Sequence, residues 1–307
     1  MSYSSFPNDP LWPRASEWLG APARAEGTVD LAIVGVPAHE TSISPSDAHT
    51  TPTAVREALG RFSTYAGSRG VDVAELSIVD LGDIDGPDGP EGEARVRAKL
   101  RGALGTTALL VAIGGDNSIT FPVMGALADD DLGAWGLITL DAHHDLRDGV
   151  SNGSPVRRLI EAGLPGANVV QVGIADFSNS RAYAERARDL GITMIGRGEL
   201  RDGSVAEVAE RALAIAGAGG RPVYVDLDVD VCDRSAAPGC PAAAPGGISA
   251  DELRSFAFHL ARDPRVRAVD ITEVDAAADA PDGRTVRLAA LLVLEAAAGL
   301  TARDAPV

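Results

Sequence analysis

The sequence predicts an α/β fold, a three-layer αβα sandwich around a mainly parallel sheet of roughly eight strands. Short apolar runs rich in β-branched residues alternate along the chain with amphipathic stretches of helical period. This alternation is typical of a parallel sheet that is covered by helices on both faces. No segment of linker composition and no internal repeat divides the 307 residues. We therefore expect a single domain spanning residues 1–307.

The predicted elements follow one another in a regular order. Residues 1–28 contain four prolines and show no clear period, so we expect them to form an irregular arm. Apolar runs predict strands at residues 31–36, 77–81, 108–113, 136–140, 169–173, 192–195, 223–227 and 266–271. The stretches between them predict helices near residues 52–65, 91–104, 118–128, 154–163, 179–190, 204–217, 249–262 and 285–300.

The charge balance excludes several classes of partner. The chain carries 27 Lys and Arg against 44 Asp and Glu, a formal net charge of −17. Nucleic acids and anionic membranes bind clustered basic residues, so neither is an expected partner, whereas a carboxylate-rich protein can bind metal cations. Two cysteines are too few for a disulfide framework or a cysteine-rich zinc site. The N-terminus lacks the basic region and apolar run of a secretory signal, and no 18-residue uncharged apolar stretch follows, so we expect a cytoplasmic protein. The expected partner is a small-molecule substrate, for which the motifs below give the reason.

Carboxylates follow several predicted strands, at the edge of the sheet where ligands bind in open parallel α/β folds. The strand at residues 136–140 leads into Asp141, His143 and Asp145, whose side chains point the same way in an extended segment. Two carboxylates and one imidazole suit a divalent ion such as Mn²⁺. The other interpretation is a turn whose aspartates cap the next helix and whose histidine is solvated.

A second acidic group follows the strand at residues 223–227. Asp226, Asp228 and Asp230 share one face, and three like charges at a strand end repel one another unless a cation neutralises them. Two such groups on different strands can share two metal ions about 3.5–4 Å apart, a geometry that activates a hydroxide. A solvated acidic loop is the alternative interpretation.

Four segments together resemble a known family. They are GGDNSIT at 114–120, DAHHD at 141–145, DVDVCD at 228–233 and DITEVD at 270–275. They are similar, in order and spacing, to the four signatures of the ureohydrolases, the arginase and agmatinase family of binuclear manganese enzymes. The resemblance runs from about residue 30 to about residue 300. It implies an arginase-like fold, two Mn²⁺ per subunit and a homo-oligomer, a trimer or hexamer.

The resemblance also implies a set of metal ligands, namely Asn117, Asp141, His143, Asp145, Asp228 and Asp230. Of the aspartates after the 223–227 strand, Asp228, Asp230 and Asp233 reproduce the family spacing, which leaves Asp226 as a supporting carboxylate behind the ligands. Asn117 stands where the family usually has a metal-binding histidine. An amide oxygen is a weaker ligand than imidazole, so we expect weak occupancy at that metal site, with Asn117 ligating weakly or a water in its place.

The segments between the signatures most resemble the formimidoylglutamase branch of the family. They include NGSPVRRL at 152–159 and GIADFSNSRAY at 173–183. Residues 151–155 lie where arginases have a histidine that helps proton transfer, and this chain has none there. The branch often has an arginine where Ala175 stands, which makes the residues that bind the substrate carboxylates harder to assign.

The implied substrate has a cationic amidine at one end and two carboxylates at the other, so its site should pair a carboxylate with the amidinium and an arginine with the tail. Glu273 is the candidate for the amidinium, although a helix cap or surface carboxylate is its other interpretation. Asn152 and Arg157 are further candidates for substrate binding, with Arg158 and Arg147 nearby. Each arginine could equally form a surface salt bridge.

The implied mechanism is the hydrolysis of N-formimidoyl-L-glutamate to L-glutamate and formamide, a step of histidine degradation. A hydroxide held between two metal ions by Asp141 and Asp228 attacks the amidine carbon, and Asp145 carries a proton to the leaving nitrogen. Asp145 and Glu273 are thus the catalytic candidates. The alternatives are an agmatinase or guanidino-acid hydrolase that releases urea, and a non-catalytic binding protein in which Asn117 has replaced an essential ligand.

Overall fold

The computed structural model describes residues 9–20, 29–129, 131–201 and 203–304. The strands are β1 Val29–Val36, β2 Tyr65–Ala66, β3 Val71–Asp72, β4 Ile78–Asp83, β5 Thr107–Gly114, β6 Gly136–Leu140, β7 Val169–Ile174, β8 Thr193–Gly196, β9 Val223–Asp228 and β10 Val266–Thr272. The helices are α1 Ala15–Leu19, α2 Thr51–Leu59, α3 Gly89–Leu100, α4 Thr120–Leu127, α5 Pro155–Glu161, α6 Arg181–Asp189, α7 Val205–Ala216, α8 Ala250–Ala261 and α9 Arg284–Thr301.

Eight strands form one sheet in the order β4-β1-β5-β10-β9-β6-β7-β8. Every neighbouring pair in it is parallel. All residues of β6 and β9 are buried, which explains why their sequences are nearly continuous apolar runs without the alternation of a half-exposed strand. The predicted parallel sheet of about eight strands is therefore confirmed.

Helices cover both faces of the sheet and form two separate cores. One core is packed by α1, α2, α7, α8 and α9, and the other by α3, α4, α5 and α6. Each strand contributes alternate side chains to the two cores, as Leu109 and Leu110 of β5 do. Among the described residues, no helix is both long and apolar enough to cross a membrane.

The structure departs from the predicted elements in three places. Within the predicted arm, residues 15–19 form α1, whose Trp18 and Leu19 are buried, while residues 1–8 and 21–28 lie outside the described part. Helix α2 ends at Leu59, short of residue 65, and the chain turns into the small antiparallel β2–β3 pair. Helix α3 ends at Leu100 because Gly102, at φ 78°, adopts a left-handed conformation that a helix cannot contain.

Candidate metal centre and substrate cavity

The candidate site lies where four neighbouring strands end. Strands β5, β10, β9 and β6 occupy the centre of the sheet, and all four are parallel. The first residues after them include Asn117, Glu273, Asp230 and Asp141. The strand order thus brings together four segments that are up to about 160 residues apart in sequence.

Asp141, His143 and Asp230 form the tightest group of candidate ligands. Their ligand atoms all lie within 4.8 Å of one another. His143 Nδ1 is 2.7 Å from Asp230 Oδ2 and 3.5 Å from Asp141 Oδ1. Asp141 Oδ2 is buried and has no hydrogen-bond partner among the described residues. Because a buried carboxylate oxygen without a partner is unfavourable, the group fits a bound cation.

Asp228 and Asp145 extend this group. Asp228 lies at the end of β9, and its Oδ1 accepts the backbone N–H of Asp230 over 2.8 Å. Burial raises the pKa of both Asp228 and Asp145 well above the usual value, and the negative charge of Asp141 raises each further. The pKa of Asp141 itself is raised to about 7, first by burial and then by Asp230. So many buried carboxylates require compensating positive charge.

His143 supplies part of that charge. Burial lowers the pKa of His143, but its hydrogen bonds with Asp141 and Asp230 outweigh burial and raise the pKa to about 12. The carboxylates therefore favour a positive charge at this point, whether a proton or a metal ion carries it.

Asn117 is held differently from the expected ligand. Its Nδ2 donates to Asp145 Oδ2 over 2.6 Å, and its Oδ1 accepts from the Thr120 hydroxyl over 2.8 Å. Asn117 thus presents its N–H side, not its amide oxygen, to the group of carboxylates. This arrangement differs from the expectation of a weak oxygen ligand and makes Asn117 a hydrogen-bond donor to a neighbouring ligand candidate.

The segment before Asn117 depends on a glycine. Gly115 donates its backbone N–H to Val36 O and lies so close to Ala38 that a Cβ would be 1.9 Å from Ala38 O. Only glycine permits this approach of the β5 end to the β1 end. The next residue, Asp116, accepts the Ser42 hydroxyl over 2.6 Å, which fastens the loop after β1 to the site.

Glu273 is oriented from two sides. Its Oε1 accepts the backbone N–H of Asn117 over 2.8 Å and Asn152 Nδ2 over 2.9 Å. Its Oε2 has no hydrogen-bond partner among the described residues, although the side chain lines the cavity beside the ligand candidates. Burial, followed by the charge of Asp116, raises the pKa of Glu273 to about 8. A carboxylate in this environment gains from a cationic ligand.

Two of these carboxylate residues have a backbone conformation that is uncommon outside glycine. Asp145 has φ 51° and Glu273 has φ 61°, both in the left-handed region that favours glycine. Asp145 lies in the segment after β6, and Glu273 directly follows β10. Non-glycine residues in this conformation are concentrated at functional sites in proteins.

A cavity of about 350 Å³ opens above the carboxylates. Asp145, Asp228, Asp230 and Glu273 contribute to its acidic part, and Arg147 also lines it. Arg147 is exposed, and its guanidinium has no hydrogen bond or ion pair with another described residue. The cavity therefore offers a carboxylate-rich region and, at Arg147, a guanidinium group that is available to bind an anion.

The other substrate-binding candidates already form hydrogen bonds or ion pairs within the protein. Arg157 donates from Nε to Arg147 O over 2.7 Å, and its other nitrogens contact Gly149 O and Glu161. Arg158 pairs with Glu93 over 2.7 Å. Neither side chain lines the cavity, in contrast to the expectation for Arg157, because both brace the loop and helix that follow Asp145. Asn152 does line it, but with its amide bonded at both ends.

His144 was not among the site residues predicted from the sequence. This residue is 2% exposed and lines the cavity. Gln171 Nε2 donates to His144 O over 2.9 Å, which directs Gln171 Oε1 toward His144 Nδ1 at 2.7 Å. This network assigns the proton to Nδ1 and leaves Nε2 as an acceptor. The signal was the second histidine of DAHHD with a glutamine in the middle of the next strand, which only the β6–β7 pairing makes meaningful.

Asp226 and Asp270 lie one layer beneath the ligand candidates. They are partners in the β9–β10 register, and both are completely buried. Asp270 Oδ2 accepts the Tyr224 hydroxyl over 2.6 Å, and it lies 2.8 Å from Thr120 Oγ1, the hydroxyl whose one proton is donated to Asn117 Oδ1. The supporting role predicted for Asp226 stays a prediction, with which its complete burial is consistent. Thr120 connects this layer to Asn117.

The fold and this site define a class of protein. The sequence profile of the arginase family matches residues 29–299, and the chain belongs to that family. Among individual relatives, the chain is 38% identical over 271 residues to the formimidoylglutamase of Halalkalibacterium halodurans, covering 85% of this chain and 84% of that one. It is 34% identical over 278 residues to the formimidoylglutamase of Bacillus subtilis, covering 88% of this chain and 86% of that one.

Solved structures agree with these relatives. The formimidoylglutamase of Bacillus subtilis superposes with a TM-score of 0.90 at 31% identity, covering 98% of this chain and 95% of that one. The formiminoglutamase of Trypanosoma cruzi, solved with Mn²⁺, gives a TM-score of 0.86 at 27% identity, covering 95% of this chain and 100% of that one.

Proposed function

We propose that this protein hydrolyses N-formimidoyl-L-glutamate to L-glutamate and formamide with two bound Mn²⁺ ions. The observation that carries the proposal is a single cavity that holds a group of buried carboxylates, the open carboxylate oxygen of Glu273 and the uncommitted guanidinium of Arg147. Relatives at 34% to 38% identity that match over most of both chains are formimidoylglutamases. The hydrolysis of a linear amidine is therefore the reaction of this site.

The residues present fit the metal ions. Asp141, His143, Asp145, Asp228 and Asp230 are the ligands we propose, and the unpartnered Asp141 Oδ2 is the atom that most needs a cation. Oxygen-rich donors with one imidazole suit Mn²⁺. When bound, such ions lower the pKa of a water molecule and so supply the nucleophile at neutral pH.

Substrate binding uses the two charges that the cavity leaves open. Glu273 Oε2 accepts N–H groups of the amidinium, and its other oxygen is already fixed by Asn117 and Asn152. Arg147 binds a carboxylate of the glutamyl tail, a role for which its planar guanidinium is suited. His144 Nε2 adds a neutral acceptor at the cavity wall.

Proton transfer to the leaving nitrogen falls to Asp145. Water adds its oxygen to the amidine carbon, the bond between this carbon and the glutamate nitrogen breaks, and that nitrogen must gain a proton. Asp145 lines the cavity beside Asp228 and Glu273, where its carboxylate can take a proton from the attacking water and pass it to that nitrogen. Asn117 fixes Asp145 by donating to Oδ2.

The alternative functions are not favoured. Agmatine has no carboxylate for Arg147 to bind, so Arg147 speaks against an agmatinase. A guanidino-acid hydrolase is disfavoured by the relatives at 38% and 34% identity, which are formimidoylglutamases. A non-catalytic role was suggested by Asn117, but Asn117 supports Asp145 here. Asp141, His143 and Asp230 still form one group of possible ligands, and Asp145 and Asp228 line the adjoining cavity. A homotrimer or hexamer is a further proposal that rests on family resemblance, and the molecular mass in solution tests it.

Steady-state assays test the activity. The purified protein, loaded with Mn²⁺, is incubated with N-formimidoyl-L-glutamate, and formamide and glutamate are followed by NMR. Equimolar appearance of both products, lost after chelation and restored by Mn²⁺, is the expected result. Parallel reactions with agmatine and with a guanidino acid are assayed for urea. Urea release without any formamide from formimidoylglutamate would overturn the proposal.

A further inference from the structure

Asn152 connects two parts of the cavity wall through one side chain. Its Oδ1 accepts the backbone N–H of Ile43 over 3.0 Å, and its Nδ2 donates to Glu273 Oε1 over 2.9 Å. Ile43 follows β1 and Glu273 follows β10, so the amide joins segments that are not neighbours in sequence. An amide with its donor and acceptor each engaged by a fixed partner is well suited to orient those partners.

The loop that Asn152 holds forms part of the cavity. Ile43 and Ser44 line the cavity, and Ile43 is 51% exposed. The loop is fastened at Ser42, whose hydroxyl donates to Asp116 Oδ2 over 2.6 Å. Beyond this point, Asn152 supplies the hydrogen bond to the Ile43 backbone. A Cβ on the neighbouring Gly153 would lie 3.1 Å from Ile43 Cδ1, so the loop rests directly on the Asn152–Gly153 turn.

The carboxylate at the other end needs this hydrogen bond for its orientation. Glu273 Oε1 receives only two donors among the described residues, the Asn117 backbone and Asn152 Nδ2. Two donors on one oxygen fix the plane of the carboxylate and direct Oε2 into the cavity. A single donor leaves the group free to rotate about it.

We infer that Asn152 is a positioning residue that couples the loop of residues 41–44 to the orientation of Glu273. The cavity wall and the amidinium-binding carboxylate are thereby set by the same side chain. The inference concerns the site proposed above and rests on that function for the identity of the substrate. The hydrogen-bonded link itself does not depend on any activity.

Two substitutions separate the two ends of the link. Asn152→Ala removes both hydrogen bonds. Asn152→Asp keeps an acceptor for the Ile43 N–H but replaces the donor to Glu273 with a carboxylate oxygen, which repels Glu273. In Mn²⁺-loaded enzyme, both variants should raise KM for formimidoylglutamate about 10- to 100-fold, as expected for losing a hydrogen bond to a charged group, with a smaller change in kcat. Bound Mn²⁺ and the thermal midpoint should remain close to the wild-type values.

Hydrogen–deuterium exchange reports on the other end of the link, the hydrogen bond from the Ile43 N–H to Asn152 Oδ1. With residue-level fragmentation, the Ile43 amide should exchange faster in Asn152→Ala than in wild type, while Asn152→Asp should keep wild-type protection there. Wild-type KM in either variant, or unchanged Ile43 exchange in Asn152→Ala, would overturn the inference. So would an equal loss of protection throughout the domain, which indicates a merely structural role. If wild-type protein releases no formamide, the proposed function fails, and the exchange measurements still decide whether the link exists.

Discussion

Asn117 Nδ2 lies 2.6 Å from Asp145 Oδ2 and donates a hydrogen bond to it. The hydroxyl of Thr120, 2.8 Å from Asn117 Oδ1, keeps the amide in this orientation. A position that the sequence marks as a weakened metal ligand is thus a support for Asp145, a neighbouring proposed ligand. Partners of this kind affect metal affinity by orienting the ligand and maintaining its charge.

Asn117→Ala should weaken Mn²⁺ binding about 10- to 100-fold, because Asp145 loses its oriented donor. The measurement is the amount of bound Mn²⁺ after dialysis against a series of limiting Mn²⁺ concentrations. Asn117→His should bind more tightly than wild type, since imidazole can ligate directly. Ser118→Ala is the matched control, because Ser118 bonds to Asp116 and not to Asp145. Equal affinity in Asn117→Ala and Ser118→Ala would contradict this role.

Asp228→Ala should remove bound Mn²⁺ and reduce turnover to that of the metal-stripped protein. The side chain is buried and lines the cavity, and no other described carboxylate occupies its place at the end of β9. Elemental analysis and formamide release are the measurements. Asp233→Asn is a control from the same motif, because Asp233 caps a loop by accepting the backbone N–H groups of Ser235 and Gly246. Turnover by metal-free Asp228→Ala protein would refute the assignment.

Arg147→Met should raise KM for formimidoylglutamate about 10- to 100-fold, because a charge-assisted hydrogen bond to the substrate tail is lost while the apolar stem is retained. Arg157→Met serves as the comparison, since Arg157 contacts Arg147 O, Gly149 O and Glu161. The Arg157→Met variant should have a lower thermal midpoint than wild type and a KM close to the wild-type value. An unchanged KM in Arg147→Met would show that another residue binds the substrate carboxylates.

Removal of the metal should make stability strongly dependent on pH. The pKa of Asp141 rises from 3.8 to about 7 and that of Glu273 from 4.5 to about 8. At pH values between the unfolded and the folded pKa of each group, the folded chain holds protons that the unfolded chain has released. The free energy of unfolding therefore falls as the pH rises through this range. The thermal midpoint of chelated protein should therefore drop by about 5 °C or more between about pH 5 and about pH 8.

The Mn²⁺-loaded protein is the control for this pH series. Its midpoint should fall less over the same range, because metal binding replaces the lost protons and becomes tighter as the carboxylates ionise. Differential scanning calorimetry at matched ionic strength makes the comparison. A chelated protein whose midpoint is constant or rises with pH would contradict the direction of these pKa shifts.

Local pattern was sufficient for most of the fold. The runs before Asp141 and after Arg221 are short and rich in apolar and β-branched residues, which favours buried strands, and their boundaries were predicted within a residue or two. The end of α2 was predicted too late. The helical pattern of the sequence continues beyond Leu59, but the chain turns there to form the β2–β3 pair. Tertiary pairing of this kind overrides local propensity.

The site was predictable as a set of segments but not as a set of contacts. Asp141, Asp228 and Glu273 stand out because each follows a buried strand. The roles of Asn117, Asn152 and Arg157 depend on partners that are remote in sequence or on a loop conformation, as with Thr272, Ile43 and Gly149. No periodicity encodes which end of an amide faces which neighbour, so these assignments require the packed structure.

The left-handed backbone at Asp145 and Glu273 places a limit on how far this protein can be stabilised by engineering. Each residue stores about 1 kcal/mol or more of strain that a glycine would release. Substitution there would raise stability and remove the proposed proton carrier, Asp145, or the proposed amidinium-binding carboxylate, Glu273. A selection for heat resistance alone would favour glycine at both positions and yield a sturdier, inactive protein. Stability and activity are thus opposed at two identifiable residues, and a thermostabilised variant has to gain its margin elsewhere.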